Sequence, residues 1–101
     1  SAPIVRLPLA QAAETQRITR NDLAVGWIRI PVRHKGLFPA TAQNIEVVLR
    51  GERVACPWNP MMGPDRERSG QLRPPPGVLR RLVRADERLV ITTDGDVLAL
   101  S

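Results

Sequence analysis

The alternation of apolar and polar positions divides the chain into short strands separated by strong turn signals. Trp27-Ile28-Arg29-Ile30 alternates as a half-buried strand does, and Pro31 ends it. Before it, Ile18-Thr19-Arg20-Asn21-Asp22 reads as a polar turn. After it, Val32 to Gly36 has room for about one helical turn with Pro at its start, and Leu37-Phe38-Pro39 brings two large apolar side chains to a core. Asn44 to Arg50 is a strand, Gly51-Glu52 a tight turn and Arg53 to Cys56 the return strand of a hairpin. Gly70 to Arg73 opens a further strand that Pro74-Pro75-Pro76 closes.

From Gly77 to Glu87, Val78, Leu79, Leu82 and Val83 recur at helical spacing with Arg80, Arg81 and Arg84 between them. This is an amphipathic helix whose apolar face caps the sheet. Leu89 to Thr93 and Val97 to Leu100 form a second hairpin about Asp94-Gly95-Asp96, where turn chemistry accounts for both carboxylates. Ser1 to Ala10 mixes Ile4, Val5, Leu7 and Leu9 with Pro3 and Pro8, as an edge segment or an arm over the sheet would. Gln11 to Arg17 is compatible with a short helix, a strand or a loop. The inventory is strands near 4–9, 26–30, 44–50, 52–57, 70–73, 88–93 and 96–100, with helical pieces at 32–36 and 77–86. It predicts a mostly β domain, a seven-stranded, partly open antiparallel barrel with one or two short helices.

The 101 residues suffice for one core and one domain. Ser1 stands where an initiator Met would, so residues 1–101 are expected to be a domain excised from a longer protein. Aromatic content of 3% means that the core is built from Leu, Val and Ile, with Trp27, Phe38 and Trp58 as its large pieces. A single cysteine, Cys56, excludes an internal disulfide and a thiol cluster and reads as a small buried hydrophobe. There is no apolar run of membrane-spanning length and no signal-peptide pattern, so a soluble, cytoplasmic protein is expected. The net charge of +5 and a pI near 11.2 point to a polyanionic partner, nucleic acid above all.

The order of Asn-Asp turn, strand, Ile30-Pro31, basic helical turn and Leu37-Phe38-Pro39 resembles the opening of the B3 DNA-binding pseudobarrel. That fold is found in plant transcription factors and in recognition domains of restriction endonucleases, such as the effector-binding domain of EcoRII. The second stretch that carries the resemblance is Pro57 to Leu72, which holds prolines, glycines and the charge cluster Asp65-Arg66-Glu67-Arg68 between two strands. The resemblance implies sequence-specific binding of double-stranded DNA by two arms that enter the major groove. It makes Arg20, Asn21, Asp22, Trp27 and Arg29 the N-terminal arm, and Asn59, Asp65, Arg66, Glu67, Arg68 and Ser69 the C-terminal arm. Arg33, Lys35 and Arg73 are the phosphate contacts of this reading, with Arg80 and Arg84 as further candidates. A nuclease domain attached to the same protein is the implied partner.

The residue types agree with that role on their own chemistry. Arg matches guanine O6 and N7, Asn bridges adenine N6 and N7, and Asp or Glu accepts from cytosine N4. A loop of mixed sign is a poor phosphate clamp, because each carboxylate repels the backbone. The competing reading of Asp65-Arg66-Glu67-Arg68 is a solvated turn with weak local ion pairs.

Catalysis finds no support. His34 is the sole histidine, there is no Tyr, and no Ser or Cys has a base partner in its motif. Pro64-Asp65 and Glu67 resemble the metal site of restriction nucleases only superficially, since the acids lie on one loop and no Lys follows. The sole lysine, Lys35, is remote in sequence. No catalytic residue, metal or cofactor is therefore expected. The alternative function is a small β-barrel accessory domain that binds protein or RNA.

Overall fold

The structure is a computed structural model that describes residues 13–62 and 68–101. Seven strands form one sheet: β1 (Ala13–Glu14), β2 (Ile28–Ile30), β3 (Gln43–Leu49), β4 (Glu52–Asn59), β5 (Gly70–Leu72), β6 (Val90–Asp94) and β7 (Val97–Leu100). Their spatial order is β1-β6-β7-β3-β4-β5-β2. Helix α1 spans Arg20–Val25, a 3₁₀ helix spans Val32–Leu37, and α2 spans Pro76–Leu82. The expected strand near 4–9 and the beginning of Gln11–Arg17 lie outside the described residues.

Alternation places the core. In β4, Val54, Cys56 and Trp58 point inward and Arg53, Ala55, Pro57 and Asn59 outward. In β2 and β5, Ile28, Ile30, Gly70 and Leu72 are buried, while Arg29 and Gln71 face out. The β3–β4 hairpin turns on Arg50 and Gly51, both at positive φ, the two-residue loop whose twist suits antiparallel strands. Gly95 supplies positive φ in the β6–β7 turn, as its Asp-Gly signal predicts.

One pairing is parallel rather than antiparallel. β7 runs beside β3 with Val47 opposite Leu98 and Leu49 opposite Leu100, so the sheet is mixed. Two hairpins laid side by side by a long connection, here the one through β5 and α2, meet in this way.

The sheet is nearly closed into a barrel by residues 13–18, which lie between its two ends. On one side Thr15 N donates to Leu89 O at 2.9 Å, and Leu89 N donates to the buried Thr15 hydroxyl at 3.0 Å. On the other, Gln16 N donates to Arg29 O at 2.9 Å. Further along, Ile18 N donates to Glu87 O and Asp86 N to Ile18 O, at 2.8 and 2.6 Å. The backbone groups of this segment are thus satisfied by both flanks, which fixes it as a stave of the barrel.

That pairing also explains why α2 is shorter than its apolar spacing predicts. The helix stops at Leu82, and Val83 turns extended, with its side chain 1% exposed in the core. Residues 86–87 then dock on Ile18 instead of continuing the helix. The core comprises Ile18, Ile28, Ile30, Val47, Leu49, Leu72, Leu79, Leu89 and Leu100 with Phe38 and Trp58. Cys56 is buried among them, and burial pushes its thiol up to about 11, so it stays protonated and inert.

Two expectations about large apolar groups fail. Only Phe38 of the Leu37-Phe38 pair enters the core; Leu37 is 43% exposed because the 3₁₀ turn leaves it on the outer side. Trp27 is absent from the core as well, since it precedes the inward Ile28 on the strand and therefore falls on the outer face.

Trp58 is the centrepiece of this end of the barrel. Its ring stacks on Phe38 with centroids 4.5 Å apart, and Nε1 donates to Pro39 O at 2.8 Å. The outer edge of the indole lies against Gly70: a Cβ there would meet Trp58 Cζ3 at 2.8 Å and Cη2 closer still. Gly70→Ala must therefore displace the largest buried side chain, and a destabilisation of about 1–3 kcal/mol is expected from urea unfolding. Unchanged stability would mean that the indole is free to move.

Candidate nucleic-acid interface

The site is built from the N-terminal arm upward. Thr19-Arg20-Asn21-Asp22 is a helix start rather than a turn: the Thr19 hydroxyl accepts from Asp22 N at 3.0 Å, and Asp22 Oδ2 accepts from Thr19 N at 2.9 Å. This reciprocal capping box opens α1, and Gly26 at φ 94° closes it. The signal is present in the sequence as Thr followed three residues later by an acid, with Gly four residues beyond.

Asp22 does more than cap. It is 2% exposed, and its Oδ1 accepts from Trp27 Nε1 at 2.8 Å and Arg29 Nε at 2.9 Å, while Oδ2 also accepts from Arg29 Nη2 at 3.0 Å. Arg29 Nη2 donates further to Arg17 O at 3.1 Å. Burial alone would raise the Asp22 pKa, but the hydrogen bonds from Arg29, Thr19 and Trp27, together with the Arg29 charge, outweigh it and hold the carboxyl below the usual aspartate range. Asp22 is spent inside the fold, and Trp27 and Arg29 are fixed by it.

Register then carries these side chains to the second arm. Arg29 lies opposite Gln71, and Gln71 opposite Asn59, so β2, β5 and β4 present an outward row Arg29–Gln71–Asn59. The matching inward row is Ile28, Leu72 and Trp58. In the neighbouring outward row, Arg73 N donates to Pro57 O at 3.0 Å, Pro57 is opposite Asn44, and the Arg73 guanidinium lies 5.0 Å from the centre of the Trp27 ring.

Two shallow depressions share Gln71. One, of about 310 Å³, is lined by Trp27, Arg29, Arg68, Ser69 and Gln71. The other, of about 300 Å³, includes Asn44, Pro57, Asn59, Gln71 and Arg73. Residues from both arms, some forty positions apart along the chain, therefore line one concavity. Gln16 Nε2 donates to Ser69 Oγ at 3.2 Å and ties the closing stave to its rim.

Lys35 has a role unlike the phosphate contact expected of it. Its Nζ donates to Pro60 O at 2.6 Å and Arg68 O at 2.7 Å, at the two ends of the C-terminal arm. The ammonium thus clasps the base of the arm from the 3₁₀ helix. Arg33, on the same helix, is exposed, as are Arg20 and Asn21 on the first turn of α1, and all three lie outside the lining of the two depressions. Asp65, Arg66 and Glu67 lie outside the described residues. Sequence reasoning misses Gln71 and Asn44, although period-two alternation about the buried Gly70 and Leu72 is enough to put Gln71 outside.

Charge is distributed unevenly. Ion pairs Arg50–Glu87, Arg53–Glu46 and Arg81–Glu52 lie on other parts of the surface, and among the described residues no carboxylate lines either depression. Exposed pairs of this kind contribute about 0–1 kcal/mol each. His34 is held below its ordinary pKa by burial and by Arg33, against an opposing effect of Glu14. Among the described residues, no group of three or more His, Cys, Asp or Glu could hold a metal, and no helix is long and apolar enough to cross a membrane. Comparison with protein-family models, curated proteins and solved structures finds no match.

Asp22→Asn is expected to cost roughly 2–3 kcal/mol, because it strips the charge from a buried carboxylate with four donors while Arg29 can still reach solvent. The sign of the pH dependence follows from the lowered pKa. The stabilisation is complete above the unfolded value near ~4 and fades as pH falls through the lower folded value. Urea titrations should therefore show the wild type and the Asp22→Asn variant far apart at neutral pH and converging in acid; a constant gap would contradict the ionic role. Lys35→Met keeps the aliphatic stem and removes the clasp, so trypsin should cut after Arg68 several-fold faster than in the wild type. Equal cleavage rates would show that the clasp does not hold the arm.

Proposed function

We propose that this chain is a sequence-specific double-stranded DNA-binding domain of the B3 pseudobarrel type, serving as the target-recognition module of a bacterial restriction endonuclease. The observation that supports this most is the convergence of Trp27 and Arg29 from one arm with Arg68, Ser69 and Gln71 from the other on a single concavity, with no carboxylate in its lining among the described residues. Arginine and amide side chains are the groups that read base edges in a major groove, and here they stand in register on a rigid sheet. A net charge of +5 supplies the sequence-independent attraction to the duplex.

In this reading Asn59, Gln71, Arg29 and Arg68 face the bases, with Asp65, Arg66, Glu67 and Ser69 on the same arm. Arg20, Asn21, Arg33 and Arg73 meet the flanking backbone. Asp22 orients its neighbours, and Lys35 sets the arm. The domain selects the site, and cleavage belongs to an attached nuclease domain. Of the three aromatic residues, Phe38 and Trp58 are buried, which leaves Trp27 alone for stacking and weighs against the RNA-binding alternative.

Arg68→Ala is expected to lose about 1–3 kcal/mol on the preferred duplex with blunted base preference, whereas Arg33→Ala weakens all duplexes alike and lowers the salt slope by about 1. Gel-shift titrations of selected and random duplexes over a salt series measure both quantities. The same loss on both duplexes for both variants would contradict base reading by this face.

A further inference from the structure

The closing stave departs from strict alternation at one point. Thr15 and Ile18 are both fully buried although they stand an odd number of positions apart, while Gln16 is half-buried and Arg17 exposed between them. The backbone bonds explain the change of phase. Thr15 N donates to Leu89 O and Ile18 N to Glu87 O, so between these two rungs the stave has two residues, Gln16 and Arg17, where the facing chain has one, Arg88. This is a β-bulge, a device that re-aims a side chain beside a binding site. In an unbroken register Arg17 would take the inward place that Ile18 occupies.

The bulge is tied to the depression between the arms. Gln16 Nε2 donates to Ser69 Oγ on its rim, Gln16 N donates to Arg29 O, and the Arg17 carbonyl accepts from Arg29 Nη2 at 3.1 Å. Arg29 itself has its charge balanced by Asp22 at 2.9 Å. Arg17 and Arg88 differ in this respect: both are exposed, and neither makes an ion pair among the described residues. Of the acids that flank them in sequence, Glu87 is turned to Arg50 at 2.8 Å and Glu14 acts on His34. That leaves Asp86 beside the exposed cations Arg17, Arg20 and Arg88.

We infer that the bulge is a phosphate clamp, in which Arg17 and Arg88, facing one another across it, hold neighbouring backbone phosphates of one strand of the bound duplex. Both arginines stand outside the lining of the two depressions, on the outer side of the barrel wall, where a duplex seated between the arms presents its flanking backbone rather than its base edges. The guanidinium fork matches phosphate oxygens, and the bonds on either side of the bulge hold both main chains in place. Contacts of this kind set the register of a protein on DNA without reading sequence. The inference rests on the duplex-DNA reading above and is tested so that the two fail separately.

The test uses Arg17→Gln and Arg88→Gln, with Arg17→Lys and Arg88→Lys to restore the charge. Arg53→Gln, at an ion pair elsewhere on the surface, is the control that changes the net charge equally. Affinities for the best duplex from a random-sequence selection and for a random duplex are measured over a salt series, and the selected duplex is remade with single methylphosphonate linkages. Each Gln variant should lose roughly fivefold in affinity near 0.15 M salt, alike on both duplexes, with the salt slope lower by about 1, because one phosphate contact contributes about 0.9 to that slope. Each should also lose the wild-type response at one linkage, the two linkages being neighbours on one strand. The Lys variants should keep the wild-type slope, and Arg53→Gln should behave as wild type. Gln variants with the wild-type slope and linkage response would overturn the clamp while leaving DNA binding intact. Losses confined to the selected duplex would do the same, as would an equal loss in Arg53→Gln. Failure of the selection to enrich any duplex would remove the DNA reading itself, and the clamp with it.

Discussion

One buried carboxylate organises the part of this molecule that faces outward. Asp22 caps α1 through Thr19, takes the indole proton of Trp27 and receives two nitrogens of Arg29. Without it, a six-residue helix, a half-buried tryptophan and an arginine on a three-residue strand would have little to hold them, since each is too short or too solvated to order itself. A buried ion pair is seldom a net source of stability compared with apolar packing. Its contribution is geometric: it fixes three side chains relative to a sheet at one point, and leaves the outer nitrogen of Arg29 aimed by that constraint.

The rest of the site follows from β register. Once Trp58 packs against Gly70, β4 and β5 are locked in phase, and the outward partners of the core row Ile28–Leu72–Trp58 are necessarily Arg29, Gln71 and Asn59. A one-residue slip would bury these polar groups and expose Trp58. The interior thus specifies the outward face, and the buried Trp58 itself lines one of its depressions. The stave at residues 13–18 plays the same part at the other edge, where Gln16 joins β2 through Arg29 O and the rim through Ser69. The arm enters on the same terms, since Lys35 fixes its two ends from the 3₁₀ helix.

Much of this is legible in the sequence. Alternation in 44–56 and 89–100 locates both long hairpins, and the Asp-Gly turn between β6 and β7 falls where its residue types place it. What escapes is decided by competition between local and distant partners. Gly77 to Glu87 has helical spacing, yet the chain leaves the helix at Val83 because residues 86–87 find backbone partners on Ile18, almost seventy positions away. Thr19 to Asp22 carries turn residues that are equally those of a capping box, and only the Gly26 terminus separates the two readings. Size alone assigns Trp27 to the core, but its phase relative to Ile28 and Ile30 puts it outside. Lys35 illustrates a different limit: nothing in a basic helical turn reveals that its ammonium will find two main-chain carbonyls rather than a phosphate.

The central claim is that the Arg29–Gln71–Asn59 face engages duplex DNA, and the two tryptophans provide a built-in comparison. Both indole protons are hydrogen-bonded, Trp27 to Asp22 on the outer face and Trp58 to Pro39 O inside the barrel. A titration of the nitrogen-15-labelled protein with its selected duplex, followed by two-dimensional NMR, reports on both at once. The account predicts large shifts of the Trp27 indole and of the Asn59 and Gln71 side-chain amides, with the Trp58 indole nearly still. Shifts confined to the Arg80–Arg84 surface, with Trp27, Asn59 and Gln71 unmoved, would contradict it.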